Sequence, residues 1–223
     1  MFEAHAALTP ISPAADPFAS LRKFARPRRP AEQCDLCGNA IAPKHPHVLE
    51  TTTKRLVCSC DACAILFDGS RQGPPGGARY RRVPDLVQYL RDYRMSDVQW
   101  NGMAIPISLA FFICESASGR VVAMYPSPAG AVESQLTLDL WEELAGDNPV
   151  LRELQPDVEA LLVNRIGETR EHWRVPIDEC YMLVGIIRAQ WRGLSGGTEV
   201  WKAVGGFFDD LRLRCADAGD ARG

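Results

Sequence analysis

Residues 34–67 decide the fold of the first part of the chain, and they read CDLCGNAIAPKHPHVLETTTKRLVCSCDACAILF. This stretch holds five of the eight cysteines in the sequence. Four of them form two Cys-x-x-Cys pairs, Cys34 with Cys37 and Cys60 with Cys63. Two such pairs are a common way to place four thiolates around one tetrahedral metal ion. The sequence therefore predicts a metal site at these four cysteines.

Zinc is the metal that this pattern favours, and a zinc ion with four sulfur ligands is normally structural because no position is left for water. Iron is the alternative, since a rubredoxin-type site also uses two Cys-x-x-Cys turns. Gly38 follows the first pair as such a site requires, but Ala64 follows the second. A redox-active Cys-x-x-Cys is a third alternative, which the proline-rich segment before Cys34 disfavours.

Three other residues in this stretch carry metal-binding side chains. Cys58 could replace Cys60 as a ligand, because it would still fit with Cys63 around the start of a helix; otherwise it is a spare thiol. His45 and His47 are weaker candidates, because four cysteines already complete the metal shell. We interpret the two histidines as polar residues of a loop.

The local pattern around the cysteines predicts a small treble-clef or zinc-ribbon-like module. The first Cys-x-x-Cys pair predicts a knuckle, and residues 48–50 and 55–57 predict a hairpin around a turn at 51–54. Residues 62–67 predict a short helix, and we expect the last two ligands to lie in its first turn. Free N–H groups at a helix start stabilise thiolates, so this placement suits the predicted metal site.

Composition divides the chain into four parts. Residues 1–32, rich in Ala and Pro without a sustained period, predict a flexible tail. Residues 33–70 form the predicted metal-binding module, and residues 71–78, which include Gln-Gly-Pro-Pro-Gly-Gly, form a linker. Residues 79–216 form the predicted α+β domain.

Hydrophobic periodicity in the second domain predicts two hairpins, a short helix between them and two closing helices, with one more helix beginning near Asp85. We expect an antiparallel sheet that helices cover on one side. The predicted strands are 105–114, 120–125, 158–164 and 171–175, and the other predicted helices are 138–144, 177–191 and 196–215.

Charge and composition indicate which kinds of partner and which cell compartment to expect. The chain has 223 residues and a formal net charge of −3, which argues against a protein built around nucleic acid. Arginines concentrate between Arg71 and Arg94, where we expect either a solvated helix face or a docking surface. The sequence shows neither a secretory signal nor an apolar run long enough for a membrane span. We therefore expect reduced thiolates in the cytoplasm.

No catalytic motif stands out in the sequence. Phosphate-binding glycine loops and the G-x-S-x-G nucleophile turn are absent. His172 lies in a predicted strand, where we expect it to face solvent, and Cys180 lies on the apolar face of a predicted helix. We predict a protein that is not an enzyme and that has no small-molecule substrate.

Eight strings of the sequence form a specific combination: CxxCG (34–38), HxH (45–47), CxCxxCAxLF (58–67), YRRVP (80–84), YPSPAGAxES (125–134), EALLVNR (159–165), VPIDECY (175–181) and WRGLSGG (191–197). Together they resemble an uncharacterised bacterial family encoded beside nickel–iron uptake hydrogenases. The resemblance covers about residues 20–214. It implies a hydrogenase-associated accessory or assembly protein whose partner is a hydrogenase subunit or a maturation protein. Two alternatives stay open: a rubredoxin-like iron electron carrier, and a zinc-stabilised nucleic-acid-binding regulator.

Overall fold

The computed structural model describes residues 32–69, 79–134, 138–193 and 195–220, with the backbone alone at residue 138 and at residues 216–220. The predicted tail, except for Glu32, and the predicted linker lie outside these residues. The described residues from Gln33 onward belong to one compact unit. Among the described residues, no helix is both long enough and apolar enough to cross a membrane.

The cysteine-rich stretch folds as a hairpin followed by a short helix, as its sequence predicts. Strand β1 (His47–Glu50) pairs antiparallel with β2 (Arg55–Cys58), and helix α1 spans Asp61–Leu66. Lys54 closes the turn between the strands with a φ of 56°, in the left-handed region that tight turns use. The register of the hairpin places His47 directly opposite Cys58.

A third strand completes this small sheet from the far side of the predicted linker. Strand β3 (Tyr80–Arg82) pairs antiparallel with β1, so the sheet order is β2-β1-β3. Strand β4 (Gln88–Tyr89) instead joins a second sheet. The prediction of a helix beginning near Asp85 is therefore wrong. Pairing with strands distant in sequence overrides the helix-like spacing of apolar residues in this segment.

The second sheet contains β4 and five further strands: β5 (Leu109–Cys114), β6 (Val121–Ser127), β7 (Gly130–Ser134), β8 (Glu159–Asn164) and β9 (Glu171–Pro176). Their order is β4-β9-β8-β5-β6-β7, and every pair of neighbours is antiparallel. The protein is therefore an α+β protein with antiparallel sheets, as the sequence predicts. The two central strands, β5 and β8, are the most buried, in keeping with their nearly continuous apolar sequences.

Helices cover the six-stranded sheet on both faces, so the predicted cover on one side only is wrong. Alternate residues of β5 point to opposite faces of the sheet. The covering elements are α2 (Asp97–Gly102), α3 (Leu138–Asp147), a 3-10 turn (Pro149–Glu153), α4 (Ile177–Gln190) and α5 (Gly197–Asp220). Phe111 belongs to one buried cluster together with residues of α4 and α5, whereas Phe112 belongs to another with residues of α2, α3 and the 3-10 turn.

The small sheet is attached to the larger core by one face of its strands. Leu49 of β1 is buried in the cluster that contains α4 and α5. Its neighbour Val48 faces the other way and belongs to a separate cluster, whose further buried members among the described residues are Val57 and Ala64. The side of the small sheet that carries the cysteines therefore has a very small apolar core of its own.

Candidate metal centre

The structure brings the four predicted cysteines into one group. One ligand atom from each of Cys34, Cys37, Cys60 and Cys63 lies within 4.8 Å of every other. The sulfurs of Cys37 and Cys60 are 3.8 Å apart. Four sulfurs at about 2.3 Å from a central ion in a tetrahedron are about 3.8 Å from one another. The group could therefore hold one metal ion with little rearrangement.

Local backbone structure explains why the first pair of cysteines converges. The N–H of Gly38 donates to the carbonyl of Cys34 at 2.8 Å, and Cys34 N–H donates to the carbonyl of Asn39 at 2.8 Å. These bonds close a tight knuckle that needs a φ of 76° at Gly38. That left-handed conformation is inexpensive for glycine and strained for most other residues. Gly38 therefore allows the backbone to turn back between Cys34 and Asn39.

The second pair is positioned by the start of α1. Cys60 is the residue before the first helical residue, and its carbonyl accepts the N–H of Ala64 at 2.9 Å. Cys63 lies in the first turn, where it is buried. Asp35 connects this segment to the knuckle, because its carboxylate accepts the N–H of Cys58 and its own N–H donates to the carbonyl of Cys58, both at 2.9 Å.

The thiols of the group differ in acidity. Burial raises the pKa of the Cys34 thiol, but hydrogen bonds from the backbone at Cys60, Leu36 and Cys37 outweigh burial and lower that pKa to about 6. Burial and the neighbouring thiols raise the pKa of Cys63 to about 12. Thiolates this close together repel one another, so the four thiols cannot all lose their protons and the group titrates as a unit. A bound cation would remove this repulsion and replace the protons.

Cys58 lies outside this four-cysteine group. The structure places it instead with the two histidines, so that one ligand atom from each of His45, His47 and Cys58 lies within 4.8 Å of the others. Reasoning from sequence missed this second group, because four cysteines were enough for one ion. The signal that could have revealed it is the hairpin register, which puts His47 and Cys58 opposite one another.

Other residues that the sequence singles out lie away from both groups. His172 is buried in β9, with its ring stacked on Tyr93 at a centroid distance of 4.4 Å, so the prediction that it faces solvent is wrong. Cys180 is fully buried, and burial raises the pKa of its thiol well above the ordinary value. Cys180 is therefore an unreactive thiol in the core, as its position on the apolar face of the predicted helix indicates.

The described arginines of this segment, which lie between residues 79 and 94, do not form the predicted helix face, because these residues contain strands and no helix. Arg79 binds Glu50 at 3.1 Å, and Arg81 binds the buried carboxylate of Asp157 at 3.4 Å. Both arginines flank or belong to strand β3. Carboxylates of the same molecule match the charges of these two arginines, which reduces the attraction of the two side chains for an acidic partner or for nucleic acid.

These features define an α+β protein with two antiparallel sheets and a four-cysteine group that could hold a metal ion. A family model with the description "Family of unknown function (DUF5947)" matches residues 33–215, and the chain belongs to that family. Comparisons with curated proteins and with solved structures find no match.

Proposed function

We propose that the protein is a non-catalytic, zinc-binding accessory or assembly protein of a nickel–iron hydrogenase. The observation that carries the metal-binding part is the convergence of Cys34, Cys37, Cys60 and Cys63 within 4.8 Å. Four thiolates leave no open position on a tetrahedral ion, so zinc at this site would stabilise structure rather than perform chemistry.

The packing around the four cysteines supports a structural role for the ion. The apolar cluster on this side of the small sheet has three buried members, Val48, Val57 and Ala64. A core of that size contributes little free energy of folding, and small modules of this kind commonly depend on a metal. Zinc would supply the missing stabilisation by fixing the knuckle to the helix.

The hydrogenase part of the proposal rests on the sequence resemblance, and the exposed apolar side chains of α1 support a docking role. Ile65, Leu66 and Phe67, which follow Cys63 and the buried Ala64, are 66%, 77% and 42% exposed. Adjacent exposed apolar side chains are typical of protein-binding sites. We propose that a hydrogenase subunit or a maturation protein docks on this apolar end of α1, which the metal holds in place.

Iron at the same four sulfurs is the second candidate. Cys37 is the exposed member of the group, and a solvent-exposed sulfur ligand gives electrons a short path to a partner. An iron site would make the protein a rubredoxin-like electron carrier. Metal analysis and the absorption spectrum of the purified full-length protein separate the two functions. We expect a colourless protein that retains zinc after desalting, whereas a coloured protein that retains iron would replace the first proposal with the second.

The partner is tested by capture of the tagged full-length protein from cells that express a nickel–iron hydrogenase, with cross-linking before lysis. We expect a hydrogenase subunit or a maturation protein among the captured polypeptides. Capture should decrease when the four-cysteine site is emptied by a chelator, because the end of α1 then loses its fixed position. If neither class of polypeptide is captured, the hydrogenase role is wrong, whatever metal the protein contains.

A further inference from the structure

We propose that His45, His47 and Cys58 form a second metal site, one that holds a late first-row divalent ion such as Zn²⁺ in exchange with solution. The three ligand atoms lie within 4.8 Å of one another. Two imidazoles and a thiolate form a donor set suited to zinc and to its neighbours in the first transition series. This inference does not depend on a hydrogenase partner.

The backbone holds the two histidines and the cysteine together. His47 and Cys58 are paired residues at the end of the β1–β2 ladder, and paired side chains on one face of an antiparallel pair lie close together. Ser59, which is fully buried, donates from both its N–H and its hydroxyl to the carbonyl of Pro46, each at 3.0 Å. Pro46 stands between the histidines, so these bonds fix the histidine segment against the cysteine segment.

Each histidine has its Nδ1 directed to an acceptor other than a metal. Nδ1 of His47 lies 2.9 Å from a carboxylate oxygen of Asp178, and Nδ1 of His45 lies 2.9 Å from the carbonyl oxygen of Ala42. Both contacts favour the tautomer that carries its proton on Nδ1, which makes Nε2 the nitrogen that binds a metal. Metal-binding histidines characteristically donate their other N–H to a carboxylate or a carbonyl in this way.

Asp178 is itself fixed, because its other carboxylate oxygen accepts the N–H of Glu179 at 2.9 Å. It lies in the first turn of α4, and His47 lies in the small sheet. Asp178 therefore acts as a positioning residue that orients the ring of His47 across the contact between the small sheet and α4.

The second group differs from the four-cysteine group in having access for exchange. His45, His47 and Asp178 line a surface cleft of about 680 Å³, and the exposed carboxylate of Asp85 lies on the same cleft. Three protein ligands leave a fourth position on a tetrahedral ion, as in zinc sites that bind water or an incoming ligand. We therefore infer that the ion enters and leaves through this cleft, whereas an ion in the four-cysteine site is retained.

The first test is the metal stoichiometry of the unmodified full-length protein. Metal is removed under reducing conditions, and Zn²⁺ is added back in competition with a chromophoric chelator. We expect two equivalents of Zn²⁺ per chain, one tight and one that a chelator removes much faster. Binding of a single equivalent in excess Zn²⁺ would overturn the second site, and it would leave the proposal for the four-cysteine site intact.

The second test removes ligands one at a time. His47→Ala and Cys58→Ser should each bind one equivalent, the tight one, and Cys114→Ser should bind two. Cys114 is a matched control because it also ends a strand and is also partly buried. Retention of both equivalents in the His47 and Cys58 variants would show that this group is not a metal site.

A third test identifies the thiolate and tests the positioning role without removing a ligand. Co²⁺ added to protein whose tight site holds Zn²⁺ should give a thiolate charge-transfer band that disappears in Cys58→Ser and persists in Cys114→Ser. A charge-transfer band that persists in Cys58→Ser would exclude Cys58 as a ligand.

Asp178→Asn should lower the metal affinity of the exchangeable site about 10- to 100-fold. Asp85→Asn, which removes the same charge from the same cleft, should leave this affinity unchanged. Equal effects of the two substitutions would show that Asp178 acts only through its negative charge and does not position His47.

Discussion

At the scale of the residue, His172 has the most unusual environment among the histidines of the described chain. It is 6% exposed, and no described residue accepts from or donates to its Nε2. Burial, followed by the positive charge of Arg165, lowers the pKa of His172 to about 4. A histidine kept neutral by its surroundings has to be accommodated without a proton in the folded state, whereas the unfolded chain binds that proton near pH 6.5.

This shift predicts a loss of stability in acid. Between about pH 6.5 and pH 4 the unfolded state binds more protons than the folded state, so the free energy of unfolding falls as the pH falls. The loss that His172 causes should reach about 3 kcal/mol at pH 4 and should stop growing below that. The measurement is urea unfolding from pH 7 to pH 4 for the wild-type protein and for His172→Gln.

The difference between the two unfolding curves isolates His172, because release of metal in acid affects both proteins equally. The difference should change by about 3 kcal/mol across this pH range. Parallel curves would show that His172 is protonated in the folded protein at the same pH as in the unfolded chain.

A pair of serine substitutions separates cysteines that bind metal from cysteines that only fill space. Cys34→Ser should empty the four-cysteine site, because an incomplete shell loses much of the binding free energy. Cys180→Ser should leave the metal content unchanged and lower the free energy of unfolding by about 1–3 kcal/mol, since it places a hydroxyl in the core. Zinc analysis and urea unfolding of both variants give the result, and full zinc occupancy in Cys34→Ser would contradict the ligand assignment.

At the scale of the element, α1 combines a metal ligand with exposed apolar side chains. Leu66→Glu should strongly reduce capture of the hydrogenase partner, because it places a charge in the proposed contact area. Zinc content should stay the same, since Leu66 is 77% exposed and contributes little to the core. Val98→Glu is the matched control, because Val98 is 82% exposed and belongs to α2. Equal capture by both variants would show that the partner does not dock on α1.

The strands and helices also show which parts of the fold can be predicted from the sequence. Strands β1, β2, β5, β6, β8 and β9 and helices α1, α4 and α5 follow from periodicity and turn residues, because each pattern is local. Strands β3 and β4 are too short to carry a period, and both pair with strands distant in sequence. Pro126, in β6, and Pro128, in the turn between β6 and β7, are typical of a loop, although Pro126 is paired with Ala131.

The two groups of metal-binding side chains also differ in whether the sequence predicts them. The four-cysteine group could be predicted because Cys-x-x-Cys spacing is itself a local geometric signal. The group of His45, His47 and Cys58 depends on the register between two strands, and its positioning residue Asp178 is 131 residues away from His47. Contacts across such a distance come from the tertiary fold, which no local pattern encodes.

At the scale of the whole molecule, Asp157 ties the small sheet to the large one. Its side chain is fully buried, and it binds Lys54 of the β1–β2 turn at 2.8 Å and Arg81 of β3 at 3.4 Å. It also accepts the N–H of Ser116, beyond the end of β5, at 3.1 Å. Burial raises the pKa of Asp157, but the hydrogen bonds from Lys54 and Ser116 outweigh it, so the pKa lies below its ordinary value.

Loss of this charge should loosen the attachment of the small sheet. Asp157→Asn keeps the shape of the side chain, and asparagine tolerates the left-handed φ of 68° at this position. The substitution removes the ion pairs and should lower the free energy of unfolding by about 2 kcal/mol at pH 7. The effect should shrink as the pH falls through the lowered pKa of Asp157, because the wild-type carboxylate is then protonated as well. Asp85→Asn, at a side chain that is 82% exposed, should cause almost no change. The measurement is the free energy of unfolding of both variants in urea. Equal effects of the two substitutions would contradict the role of Asp157 in attaching the small sheet.

Removal of metal should open the small sheet before the large one. Strand β3 lies at the edge of the small sheet, where it is paired with β1. The amides of both strands should therefore lose protection from exchange when the module loses its metal. Strands β5 and β8 lie at the centre of six strands, between two buried clusters, and their amides should stay protected. The measurement is amide hydrogen exchange with and without a chelator, which resolves local from global opening. Exchange that accelerates equally in β3 and β8 would show a single cooperative unit, in which the metal stabilises the whole protein rather than the small sheet.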